Sequence, residues 1–332
     1  MTCAKQGAFL LLILTGLSAA AATDKAWSNT AKDWDLGNAA NWGGTLPNAP
    51  DYNAKITTST TEAQPFVMSA VKELTPYDLT LSTTMTLDLG VGSVLLSQHR
   101  ILCNSQDTTV TIKSGTVGVQ WDATSGERFF IGDNAGHGSS LVADGPNVLL
   151  TGAKGNSLQV GTTKDHCLLW VKNGAQVSAN MVVGLNTTAS NCVARFEGPG
   201  SAHTVPADTT ISTVLTVGAN GGYDTYELVK QASFTNRSEK PIVIGGIYGS
   251  NPARGWNTLS VLDHSSFKTG GDVVVGEQSG TNALEVAGGS SFVCDGILTV
   301  GDSKGGDGNT ASIRDGATAE VKNGLRIGYG GG

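Results

Sequence analysis

Two carboxyl groups held about 5–9.5 Å apart can hydrolyse a glycosidic bond, so the carboxylates of this chain are the first residues to weigh. Asp144, Asp263 and Asp315 recur in one phrase, as in Val142-Ala143-Asp144-Gly145-Pro146-Asn147-Val148 and Ile313-Arg314-Asp315-Gly316-Ala317-Thr318-Ala319. Other copies of that phrase carry Asn173 or Gly288 at the same place. A position that accepts Asp, Asn or Gly alike serves a tight turn, because these residues tolerate φ > 0. The three aspartates are therefore expected to shape turns. Asp272, Asp295 and Asp302 share no column, and Lys268 or Arg314 as a lyase base would be a forced choice.

Other chemistries find less support. His99, His137, His166, His203 and His264 show no short metal-ligand spacing, so no metal is expected. Gly305-Gly306-Asp307-Gly308-Asn309 matches a calcium-binding turn only once, and reads as a loop. There is no nucleophile elbow and no phosphate loop. Asn186-Thr187-Thr188 and Asn236-Arg237-Ser238 are glycosylation sequons in form. Trp27, Trp34 and Trp42 lie within sixteen positions. They are candidates for carbohydrate contact, weighed against the packing of an end cap. No catalytic residue and no cofactor is assigned.

The elements that must position these residues announce themselves by repetition. An apolar-x-apolar triplet closed by glycine occurs at Phe129-Phe130-Ile131-Gly132 and Leu158-Gln159-Val160-Gly161, then ends at Gly184, Gly218, Gly245, Gly276, Gly301 and Gly328. The spacings run from 23 to 34 with a mean of 28. Such a period marks a solenoid whose units bury their apolar faces only by stacking. With the turn phrase, each repeat reads as three short strands, the coil of a parallel β-helix.

Four residues before the turn phrase runs a further column: Cys167, Cys192, Asp224, Asn257, Asn282 and Asn309. Equivalent positions on stacked coils lie about 4.8 Å apart. Asn257, Asn282 and Asn309 are expected to form an amide ladder. Cys167 and Cys192 fall inside the ~4.4–6.8 Å Cα window of a disulfide, and are expected as a bridge or as two stacked thiols. Cys103 and Cys294 have no evident partner.

Met1 to Ala22 reads as a secretory signal peptide, with Lys5, an apolar run over Phe9 to Leu17 and a small-residue cleavage site. Its removal takes Lys5, so the 21 basic residues become 20 against 28 acidic, a net charge of −8. That balance argues against nucleic acid and against anionic membranes as partners. No second long apolar run follows, so the chain as given is not membrane-embedded. Residues 23–74 are expected to form a Trp-rich cap or leader module, and 75–332 the β-helix. The chain stops directly after a repeat glycine, so a C-terminal truncation is expected.

The repeats, as in Leu298-Thr299-Val300-Gly301 through Ile327-Gly328, resemble the passenger-type β-helix repeats of bacterial autotransporters and related surface proteins. The opening segment is similar to their leader module at Asn41-Trp42, Gly44, Pro47, Asp51, Ala54 and Ile56. The resemblance implies a secreted or outer-cell-surface protein, structural or adhesive, often with a C-terminal anchor that this chain does not show. Its expected partner is an extracellular polysaccharide or cell-surface ligand. The runner-up is a carbohydrate-active β-helix enzyme, a polysaccharide lyase or glycosidase. The insertion between Gly184 and Gly218, with Pro199, His203 and Pro206, is the expected recognition loop.

Overall fold

One coil shows how the sequence builds the rest. In Leu168–Lys172 the residues alternate: Leu169 and Val171 are buried, while Leu168, Trp170 and Lys172 point outward. Period-2 alternation of this kind is that of a half-buried strand. Gln176–Ser178 and Asn180–Val183 complete the coil. Each strand pairs in parallel with its counterpart one coil on, namely Val193–Glu197, Ala202–Val205 and Leu215–Val217. This computed structural model describes residues 22–120, 128–133, 137–246, 255–302 and 307–328, so the expected signal peptide, apart from Ala22, lies outside the described residues.

Three parallel sheets result. The first has 12 strands, from Thr23–Ala26 to Leu325–Ile327. The second and third share the strand Thr109–Val119, which pairs with Ser140–Asp144 through its first half and Val148–Thr151 through its second. Gly115, with φ of 96°, opens the second pairing opposite Val148. The chain is thus an all-β parallel solenoid with three short strands per coil. No described helix is long and apolar enough to cross a membrane.

The interior is a pile of like on like. Phe234, Phe267 and Phe292 occupy one register position on consecutive coils, with ring centroids 4.4 and 5.2 Å apart and nearly parallel planes. At the N-terminal end, Thr23–Ala26 and Tyr52–Ile56 already belong to the first sheet, within the 23–74 segment read as a cap. Trp27 packs on Trp34 at 5.5 Å and edge-on against Phe66 at 4.7 Å. Trp42 donates its indole N–H to Leu36 O at 2.8 Å.

Candidate functional site

The corners after the first-sheet strands from Ser157–Val160 to Leu298–Val300 are built by three columns. The triplet glycine takes a left-handed conformation, with φ of 70° at Gly218. A second left-handed residue comes at the end of the corner, at His166, Asn191, Tyr223 and Trp256 on consecutive coils. The next residue is the column Cys167, Cys192, Asp224, Asn257, Asn282, Asn309. Its side chains lie over the glycine of the coil before, so that a Cβ on Gly218 would overlap Asn257.

The column is a hydrogen-bonded ladder. Asn257 donates Nδ2–H to Asn282 Oδ1 at 3.0 Å, and Asn282 donates to Asn309 Oδ1 at 2.9 Å. The same oxygens accept the backbone N–H of Asn257 and of Asn282. Asp224 N–H donates to Asn257 Oδ1 at 3.1 Å, and Cys192 N–H to Asp224 Oδ1 at 2.9 Å. Cys167 and Cys192 follow on adjacent coils as buried thiols in contact. Donation of the Cys192 S–H to the Cys167 sulfur and burial both push the Cys192 thiol up. Cys103 and Cys294 are also buried thiols, which burial raises to about 12 and about 11.

Asp224 is the odd member. Burial pushes its carboxyl up to about 8, against 3.8 for the ordinary group, although the Cys192 N–H opposes the shift. Between these two values the folded chain holds a proton that the unfolded chain releases, so stability falls as pH rises from about 4 to about 8. An asparagine would keep the acceptor for Cys192 N–H and offer an Nδ2–H to Asn257 Oδ1. Asp224→Asn is therefore expected to stabilise the fold by about 2 kcal/mol at pH 8, with the gain shrinking toward pH 4. Urea unfolding at both pH values measures it; a pH-independent difference would refute the assignment.

The aspartates part company. Asp263, Asp315 and Asn173 all have φ of 55° and Gly288 has 65°, so they are turn residues. Asp144 is not. Ala143 pairs with Val171 and Leu149 with Gln176, so the Asp144 coil holds one extra residue across its turn. The slip places Asp144 opposite Lys172, at the outer end of its strand. There it accepts Lys113 Nζ at 2.8 Å and Asn173 Nδ2 at 2.6 Å, while Lys172 stands 3.5 Å away. Lys113 also meets Glu62 at 2.7 Å. These two carboxylates and two lysines, together with Trp170, line a cleft of about 230 Å³ on the second sheet.

Trp170 also walls the neighbouring cleft with Arg195 and Glu197. Lys172 Nζ lies 4.3 Å from the Trp170 ring centroid, and the indole N–H donates to Glu197 Oε2 at 3.1 Å. Arg195 bridges Glu197 and Glu227 at 3.0 and 2.9 Å, and Lys230 meets Glu197 at 2.6 Å. Outward strand positions thus carry an aromatic ring set between rows of paired charges. Burial opposes ionisation of Asp144, but Lys113, Asn173 and Lys172 outweigh it and hold the carboxyl below its usual range. Asp144 and Glu62 together hold Lys113 above its own. A general acid needs a raised carboxyl and a lyase base a lowered lysine; Asp144 and Lys113 are shifted the other way.

Trp170 was missed because clustering, not alternation, drew attention to the tryptophans. Trp27 and Trp42 are 3% and 2% exposed, so neither offers a ring face to a sugar, and Trp34 is partly buried against Trp27 and Phe66. His203 lies inside, not in a projecting loop, with ring nitrogens 2.9 Å from Tyr226 Oη and from Ala179 O. Burial depresses it to about 4. The projecting part of the insertion is residues 206–214, where Thr210 N–H donates to Lys154 O at 3.1 Å. It roofs a cleft of about 180 Å³ over Val182, Leu185 and Ala219. Asn236 is buried and bonded to Thr269 and Lys240, so its sequon is closed to glycosylation. Gly305 and Gly306 of the calcium-like turn lie outside the described residues.

The spacing search also missed His137 and His166. Adjacent coils bring both beside Asp165, whose carboxyl accepts from His137 Nδ1 and stands 3.2 Å from His166 Nδ1. The His137 hydrogen bond holds the Asp165 carboxyl below its usual range.

The class defined by this architecture is the parallel β-solenoid, the fold of proteins that include autotransporter passengers. No protein-family model, curated protein or solved structure matches the chain.

Proposed function

We propose that this chain is a secreted or cell-surface rod with a structural or adhesive role, and that the second-sheet face around Trp170 contacts extracellular polysaccharide. The observation that carries the reading is the placement of Trp170 between two clefts on an unbroken strand face, flanked by fixed charges of both signs. An aromatic ring contributes apolar area to a sugar face, and the ionic groups beside it bond hydroxyls. The repeats and leader residues that resemble autotransporter passengers support export to the surface.

Co-sedimentation with insoluble cellulose, chitin and peptidoglycan tests the binding reading. Wild-type protein is expected to sediment with at least one of them, and Trp170→Ala to lose tenfold or more of that affinity. Equal binding by the two proteins would overturn it. A second reading, a carbohydrate-active enzyme, draws support from the Glu62, Asp144 and Lys113 grouping. Release of reducing ends or unsaturated uronates, lost in Asp144→Asn, would favour that reading over simple adhesion.

A further inference from the structure

His137 and His166 are 29 residues apart in sequence, yet their ring centroids are 5.4 Å apart. Gly138 N–H donates to Asp165 O at 3.1 Å, and His166 N–H to Ser190 O at 3.0 Å, so both corners are pinned to the coil that follows them. The Asp165 carboxyl lies between the rings, one oxygen toward each Nδ1. One ligand atom from each of the three residues lies within 4.8 Å of the others. The side chains are 46%, 38% and 58% exposed for His137, Asp165 and His166, which leaves an entry path and room for water ligands.

A simple ion pair would need one imidazole. Here two converge on one carboxylate, and backbone geometry does not call for the second. His166 takes a left-handed φ of 56°, where the neighbouring coils use Gly138 and Asn191, residues better suited to it. Two imidazole nitrogens and a carboxylate oxygen match the borderline ions, zinc and copper(II) among them, and not calcium or magnesium, which take oxygen ligands.

We propose that His137, Asp165 and His166 form a binding site for a divalent transition-metal ion, which staples two consecutive coils together. Each neutral ring binds through Nδ1 and carries its single proton on Nε2; water completes the coordination. The site shares no residue with the clefts beside Trp170 and does not depend on the polysaccharide reading.

Untagged, chelator-treated protein is titrated with Zn²⁺ against a chromogenic chelator, and with Cu²⁺ under electron paramagnetic resonance. One equivalent is expected, with nitrogen hyperfine structure from two imidazoles. His137→Ala, Asp165→Asn and His166→Asn should each weaken Zn²⁺ binding at least tenfold, while His264→Ala leaves it unchanged. The asparagine suits the left-handed backbone at position 166, so folding is preserved, and unchanged circular dichroism checks this. Absence of stoichiometric binding would overturn the proposal. So would binding that survives the histidine variants and disappears in Cys167→Ala/Cys192→Ala, which would assign the metal to the thiols.

Discussion

Phe267→Ala should destabilise the solenoid by about 3–5 kcal/mol, the usual consequence of emptying a buried phenylalanine site. Phe267 is fully buried, and its ring lies between those of Phe234 and Phe292. Removing it opens a void and ends two ring contacts at once, each contributing about 0.5–1.5 kcal/mol beyond area burial. Neighbouring residues cannot collapse to fill the space, because each is held at its own rung by the parallel ladder. Since a coil touches only the coils beside it, the damage should stay local. Amide hydrogen exchange should speed up in Ser233–Asn236, Ser266–Thr269 and Ser291–Cys294, with Ser140–Asp144 unaffected. Uniform acceleration along the chain would contradict the nearest-neighbour picture.

Gly218→Ala is expected to rank second, at about 2–5 kcal/mol. Two effects add. A left-handed φ of 70° costs an alanine about 1–2 kcal/mol, and the new methyl would overlap the Asn257 side chain. Moving Asn257 aside would break its bonds to Asp224 N–H and to Asn282. Gly316 separates the two effects, because its φ is 74° with nothing within 4 Å of an added Cβ. Gly316→Ala should therefore show the backbone penalty alone. If urea unfolding gives the two variants equal losses, the amide column is not what excludes a side chain at Gly218.

Much of the architecture was readable without coordinates of any kind. From Arg128–Ile131 onward each first-sheet strand ends at a left-handed glycine, so the glycine period of about 28 residues marks where those coils turn. The apolar alternation between glycines then fixes which residues face inward. What resisted reading was whatever depends on neighbours across coils. Asp144 looked like a turn residue because one extra residue in its coil shifts the register by one, and only strand pairing reveals that shift. His137, Asp165 and His166 meet across a coil boundary, where searches tuned to helices and hairpins do not look. His203 defied its polarity: a neutral imidazole with both nitrogens bonded can lie among Phe196, Tyr226 and Phe234. Trp170 could have been found by counting outward from Leu169 and Val171. The crowding of Trp27, Trp34 and Trp42 into one short stretch pointed elsewhere.

The corner ladder has a consequence for how such a molecule changes over generations. Each rung is recognised by the next through one small side chain over one glycine, whatever the loop between them does. Whole turns can then be duplicated or deleted as units, provided the joint restores that match. Reach becomes a trait that evolution adjusts in steps of about 4.8 Å, one gene segment at a time.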